Sequence, residues 1–183
     1  SMTANQATYG GAVCAMNYST VEISGGTISS NRAYSSGGAI QIETGAEVRI
    51  SGGDISENKS DKALGGAIYN GASLSLGGAA QIDSSNDIYL VSGKTVDVSD
   101  KLTCSGYAAT VTPQTYAEKT KILGGSAMST NYMKFGLSNS NWYTLANGTI
   151  TSVETTTVAR VSKAGAFSVE YTDLADAFAA VSA

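Results

Sequence analysis

The sequence predicts an all-β fold: a right-handed parallel β-helix (solenoid) with a small C-terminal β cap and a short terminal helix. Three observations carry that prediction. One phrase occurs twice, as GGAVCAMNYSTVEISGGTISSNRAYSS over 10–36 and as GGAIQIETGAEVRISGGDISENKSDKAL over 37–64. The glycine pairs Gly10-Gly11, Gly37-Gly38 and Gly65-Gly66 recur after 27 and then 28 residues, and self-similarity at such a period marks a stacked repeat architecture. Within each unit apolar residues sit two apart, the alternation of half-buried strands, and no helical periodicity runs through 10–112. A single unit cannot bury its apolar edge. Stacked units can, at the ~4.8 Å spacing of hydrogen-bonded strands.

Taken in order, residues 1–9 are expected to form a partial first coil or a frayed end. Coil one is 10–36, coil two 37–64 and coil three 65–86. Each coil has three short pieces. The first pieces bring Val13, Ile40 and Ile68 into one inward stack. The second bring Val21, Val48 and Leu74 into another, with Ile23, Ile50 and Leu76 beside it. The third pieces carry Ile28 and Ile55, with Ala80 or Ile82 in their place in coil three. A second glycine pair punctuates each coil at Gly25-Gly26, Gly52-Gly53 and, slightly early, Gly77-Gly78. Coil four opens at Asn86, turns Val96 and Val98 inward and closes through Leu102 and Cys104. A degenerate fifth coil uses Ala109, Val111, Ile122 and Leu123, with Pro113 at a turn or edge because proline cannot donate to a ladder.

After residue 125 the repeat ends, so the organisation expected is 1–125 solenoid, 126–162 β cap, and 163–183 a tail or the start of a further module. Tyr132 to Leu137 reads as a strand. Tyr143–Ala146 and Thr149–Val153 flank Asn147-Gly148, a hairpin signal of the type I′ kind. Thr155 to Val161 is rich in β-branched residues and reads as another strand. In the tail, Thr172 can cap a helix that places Leu174, Ala177, Phe178 and Val181 on one face.

Composition excludes several function classes. Net charge is −4, and the 11 basic residues form no cluster in the sequence, so no basic face for nucleic acid is expected. No apolar run approaches the roughly 18 residues that span a bilayer. The two cysteines fall on the strands of coils one and four, roughly 14 Å apart at the strand spacing, beyond the ~7 Å a disulfide tolerates. Two free thiols are therefore expected. The chain has no histidine, which removes Ser-His-Asp and Cys-His catalysis and thins any metal site. No cofactor and no metal are expected.

The phrases Gly37-Gly38-Ala39-Ile40, Gly52-Gly53 with Ile55 and Asn58, and Gly65-Gly66-Ala67-Ile68-Tyr69-Asn70 resemble the β-helix repeats of bacterial adhesin-like surface proteins, over about 10–125. In proteins of that kind an IYL…VDVS run, matched by Asp87 to Val111, followed by an Asn-Gly hairpin, commonly closes a solenoid. A YTDLADAF-like segment, as in 171–178, often opens a further module. The resemblance implies an extracellular or cell-surface setting and a protein or glycan partner.

The coil register also predicts outward rows. Along the first pieces the row reads Cys14, Gln41, Tyr69, Tyr89, and Gln41, Tyr69 and Tyr89 form the candidate ligand surface, a flat aromatic strip able to stack on sugars or anchor a protein. Along the second pieces it reads Glu22, Arg49, Ser75, Asp97, and the Glu22–Arg49 pair reads as an ordinary surface pair contributing about 0–1 kcal/mol. Asn31 and Asn58 recur at the structural period and read as a stacked asparagine ladder. The carboxylates Asp54, Asp61, Asp83 and Asp87 are scattered over turns, where a calcium or glycosidase site needs them gathered.

The function expected is a structural and binding module of a bacterial cell-surface or secreted protein, adhesin-like. The alternative is a carbohydrate-active enzyme or accessory domain. Activity on pectic or alginate-type polyanions is not expected, since the sequence gathers no cations to attract them.

Overall fold

The computed structural model describes residues 1–153, 159–161 and 169–171. The chain divides into two units, Ser1–Thr151 and Ser152–Ala183. The first is a parallel β-solenoid of about five turns.

The N-terminal residues form a partial coil of β1 (Met2–Thr3) and β2 (Gln6–Tyr9). Coil one follows with β3 (Val13–Ala15), β4 (Thr20–Ser29) and β5 (Arg32–Ser36), and coil two with β6 (Ile40–Ile42), β7 (Glu47–Ser56) and β8 (Lys59–Ser60). Coil three has β9 (Ile68–Asn70) and β10 (Ser73–Ile82), coil four β11 (Asp87–Leu90) and β12 (Val96–Leu102), and coil five β13 (Ala109–Pro113) and β14 (Leu123–Gly124). Like strands stack into three parallel sheets. The first runs β1-β4-β7-β10-β12-β14, the second β3-β6-β9-β11-β13, and the third β2-β5-β8.

The inward stacks are those the periodicity predicts. Val13 pairs with Ile40 and Ile40 with Ile68; Val21 with Val48 and Val48 with Leu74; Ile23 with Ile50 and Ile50 with Leu76. From coil two onward these side chains are buried. Val13, Val21 and Ile23 are half-buried, because coil one stacks on one full neighbour.

Two features of the coil differ from the sequence reading. The second and third predicted pieces are one long strand, bent at the glycine pairs. The third sheet is built instead by 32–36 and 59–60, which alternation does not reveal because its inward positions are small: Ala33 lies against Ser60. The glycine pairs themselves do not stack one on one. Gly52 and Gly53 lie opposite Ala79 and Ala80, and Gly77-Gly78 form the bulge just before them, which accounts for the early third pair. Ile82, not Ala80, lies on Ile55.

The opening Gly-Gly has a steric cause. Gly37 has φ +63°, a left-handed backbone that side chains resist, and a Cβ on Gly38 would meet the Gly66 carbonyl oxygen and the backbone of Lys59. The first glycine turns the corner and the second lets adjacent coils approach.

The asparagine ladder is present and longer than predicted. Asn31 accepts from the backbone N–H and side-chain amide of Asn5 (3.0 and 2.9 Å), and donates both its own N–H and its amide to Asn58 Oδ1 at 2.9 Å. Asn58 in turn donates to Asn86 Oδ1 at 3.0 and 3.2 Å. Residues 1–9 are therefore a partial coil tied into the stack. Asn58-Lys59-Ser60 matches the Asn-X-Ser glycosylation pattern, but Asn58 is buried in this ladder and offers no acceptor.

Beyond residue 125 the chain still adds to the solenoid. After helix α1 (Met128–Asn131), a 3₁₀ turn over Tyr132–Lys134 replaces the start of the predicted strand, and β15 (Phe135–Leu137) extends the second sheet in parallel with β13. Asn131 Oδ1 accepts the Leu102 N–H at 3.0 Å, closing coil four from above. The predicted hairpin is β16 (Trp142–Thr144) with β17 (Ile150–Ser152). Its turn is not type I′. Gly148 alone has positive φ, at +80°, and its N–H bonds to the Leu145 carbonyl at 2.8 Å, the pattern of a three-residue loop with glycine in the bulge position. In the second unit, β18 (Ala159–Val161) and β19 (Val169–Tyr171) pair antiparallel. Residues 155–158 of the predicted strand and the predicted tail helix lie outside the described residues.

Candidate functional site

The row Cys14, Gln41, Tyr69, Tyr89 is aligned as predicted, each residue opposite the next on β3, β6, β9 and β11. Its exposure is not what alternation implies. Gln41 is 2% exposed and both ends of its amide are spent: Oε1 accepts from Ser36 Oγ at 2.8 Å and Nε2 donates to Glu43 at 2.7 Å. It presents nothing to a ligand. Its position on an outward row is correct, but Ser36 before β6 and Glu43 after it hold its amide from both sides.

Tyr69 and Tyr89 are half-buried and stacked on each other, centroids 5.6 Å apart with planes 9° from parallel. The rings shield each other's faces, so they present edges and hydroxyls in place of a flat strip. Partial burial raises the Tyr69 phenol above its ordinary value, with smaller contributions from Glu43 and Tyr89. Partial desolvation of its own sulfur, with Glu43 next, raises the Cys14 thiol although the residue as a whole is exposed. Cys14 is exposed on β3, whereas Cys104 lies two residues past the end of β12, not on a strand, and is buried. Both are free thiols. A thiol reagent is therefore expected to label one cysteine in the native protein, slowly because the raised pKa reduces the thiolate, and both after denaturation. Two labels on the native protein would contradict the burial of Cys104.

The second row, Glu22, Arg49, Ser75 and Asp97, holds on adjacent coils. Here the fold adds what the row did not show. At the bend of each long strand the register slips around the glycines, and the outer face of the first sheet opens into a groove of about 360 Å³. Glu22, Ser24, Arg49, Ser51, Ser75 and Ser99 line it, with Ile23 and Ile50 at its floor. Arg49 is clamped: Nε and Nη2 donate to the two Glu47 carboxylate oxygens at 2.9 and 2.8 Å, and Nη1 donates to Glu22 at 3.2 Å. Among the described residues the hydroxyls of Ser24, Ser51 and Ser75 have no protein partner, while Ser99 donates to the Leu76 carbonyl at 3.3 Å. The groove thus offers a fixed guanidinium, the Glu22 carboxylate and the unpartnered hydroxyls of Ser24, Ser51 and Ser75. Its signal in the sequence is the serine directly before the glycine pairs at 25–26 and 52–53, legible only once the bend is known.

The four acids flagged by the sequence are each held by their own neighbours. Asp61 accepts both arms of Arg32 at 3.0 and 2.8 Å, and that hydrogen bonding holds its carboxyl below the usual range. Asp83 accepts from Ser85 at 2.8 Å and is likewise lowered by it. Asp54 bonds Ser56, and Asp87 accepts from Gly66 and Thr112. Among the described residues no three metal-ligating side chains gather at one point, and no helix is long and apolar enough to cross a membrane.

A scan against protein-family models and searches of the curated proteins and of the solved structures found no match.

Proposed function

We propose that this chain is a rigid binding module of a bacterial cell-surface or secreted protein, adhesin-like, that holds an extracellular glycan or glycosylated partner along its groove. The observation that carries the reading is the groove around Arg49. Guanidinium N–H groups donate, Glu22 accepts, and serine hydroxyls do both. That combination suits the vicinal hydroxyls of a sugar chain laid along the solenoid axis. The parallel stack supplies rigidity, which lowers the ordering cost of binding. The likeness of the Gly-Gly-Ala-Ile repeats to those of bacterial surface proteins supports the setting. Tyr69 and Tyr89 add a second contact strip of ring edges on the neighbouring sheet.

The test is binding of the purified chain to a panel of neutral and acidic oligosaccharides, compared with Arg49→Ala and Ser51→Trp. Both residues are exposed, so the melting temperature should hold. Affinity for the best glycan should fall about tenfold or more, the scale of losing a charge-assisted hydrogen bond. Unchanged affinity in both variants would sink the groove. Release of new reducing ends or unsaturated products from the bound glycan would replace the binding reading with that of a carbohydrate-active enzyme.

A further inference from the structure

A second pocket lies at the corner where the chain passes from the second sheet to the first in coils four and five. Its volume is about 250 Å³, and its walls are the turn after β11 and the loop between β13 and β14. Lys94 and Lys121 line it together with Ser92, Gln114, Thr115 and Thr120, and no acidic residue does. In a chain of net charge −4 that is a local reversal of sign. The described ion pairs involve Arg32, Arg49 and Lys59. Neither pocket lysine joins one. Glu118, on the same loop, bonds Thr151. The hydroxyls of Ser92, Thr115 and Thr120 likewise have no partner among the described residues.

The walls are held by the backbone rather than by these side chains. Gln114 Oε1 accepts the Ser92 N–H at 2.8 Å and the Gln114 N–H bonds the Leu90 carbonyl at 2.8 Å, tying the two corners together. The Lys94 N–H closes its turn on Val91 at 2.9 Å, and the Ile122 N–H anchors the far side on Gly148 at 2.9 Å. Two lysines and three hydroxyl-bearing residues therefore line one space whose backbone is tied in place, and their side chains have no partner among the described residues.

We propose that this pocket binds an acidic sugar unit, its carboxylate between Lys94 and Lys121 and its hydroxyls against Ser92, Thr115 and Thr120. Two convergent cations draw an anion. A bare anion would leave the hydroxyls idle, and the volume lies just under the range of pockets for drug-sized ligands, which suits one monosaccharide. The lysines are 27 residues apart in sequence, one coil period, so stacking alone brings them together. The site lies on a different corner from the Arg49 groove and stands or falls separately.

The experiment titrates glucuronate, glucose and inorganic sulfate into the whole chain by calorimetry or NMR. Glucuronate should bind with a Kd of about 1 mM, weaken as salt rises because exposed charges are screened, and bind about tenfold tighter than glucose or sulfate. The double variant Lys94→Gln/Lys121→Gln should lose glucuronate binding, and Lys62→Gln, at an exposed lysine of coil two, should leave it unchanged. Equal binding of glucose, or unchanged binding in the double variant, overturns the proposal. Sulfate binding as tightly as glucuronate overturns the sugar assignment. Should the double variant fail to fold, the parent chain decides: glucuronate binding indifferent to salt overturns the role of the lysines.

Discussion

Replacing Ile50 with Asp is expected to abolish cooperative folding of the solenoid at neutral pH. Ile50 is 2% exposed and lies between Ile23 and Leu76 on the neighbouring coils. The substitution removes a packed side chain, worth about 2–5 kcal/mol, and places a carboxyl where no partner exists. Together these approach the whole stability of a domain, about 5–15 kcal/mol. The variant has a pH signature. Inside the stack the carboxyl resists ionisation, so its folded pKa lies above the unfolded value of about 3.9. The folded form then binds more protons than the unfolded one, and stability is greatest below about pH 4 and falls as pH rises. Circular dichroism against temperature at several pH values reads this out. A melting temperature equal to the parent's at neutral pH would mean that Ile50 does not face the core.

Asn58→Leu should produce the second largest loss, about 4 kcal/mol, with little change in volume. Asn58 Oδ1 accepts two donors from Asn31, and its amide donates to the Ile28 and Ser56 carbonyls at 2.9 and 2.8 Å. Leucine orphans these buried groups, each at about 1–3 kcal/mol. Asn5→Ala, at the exposed end of the same ladder, should cost under about 1 kcal/mol, because water can take over its bonds. Chemical unfolding of the two variants provides the comparison. Equal losses would show that the ladder is not a continuous buried network.

The difference between these two positions shows what could be read from the letters. Asn31 and Asn58 were visible as a ladder because they repeat at the coil period, yet Asn5 and Asn86 belong to it at nearly the same spacing. The repeat phrase does not mark them because the letters around them have drifted. Asn131 performs a comparable task for Leu102 from a short helix, where no repeat marks it. The third sheet leaves no trace in the pattern because Ala33 and Ser60 give no apolar alternation. The turn differs from type I′ because Asn-Gly also fits a type I turn with a glycine bulge, and the strands on either side decide between them.

The sequence by itself determined the solenoid, the inward stacks and the order of both outward rows. A strict two-residue alternation repeated at one period leaves a single register that buries every apolar set at once. Only the tertiary structure decided which outward residues meet solvent and which side chains converge. Gln41 is outward by parity and buried in fact, its amide taken by Ser36 and Glu43. The Tyr69 and Tyr89 rings face each other because successive coils bring them within stacking range. Arg49 lies in a groove because bends are set by where bulged strands slip against their neighbours. That slip depends on contacts between coils, which no periodicity within one coil can report.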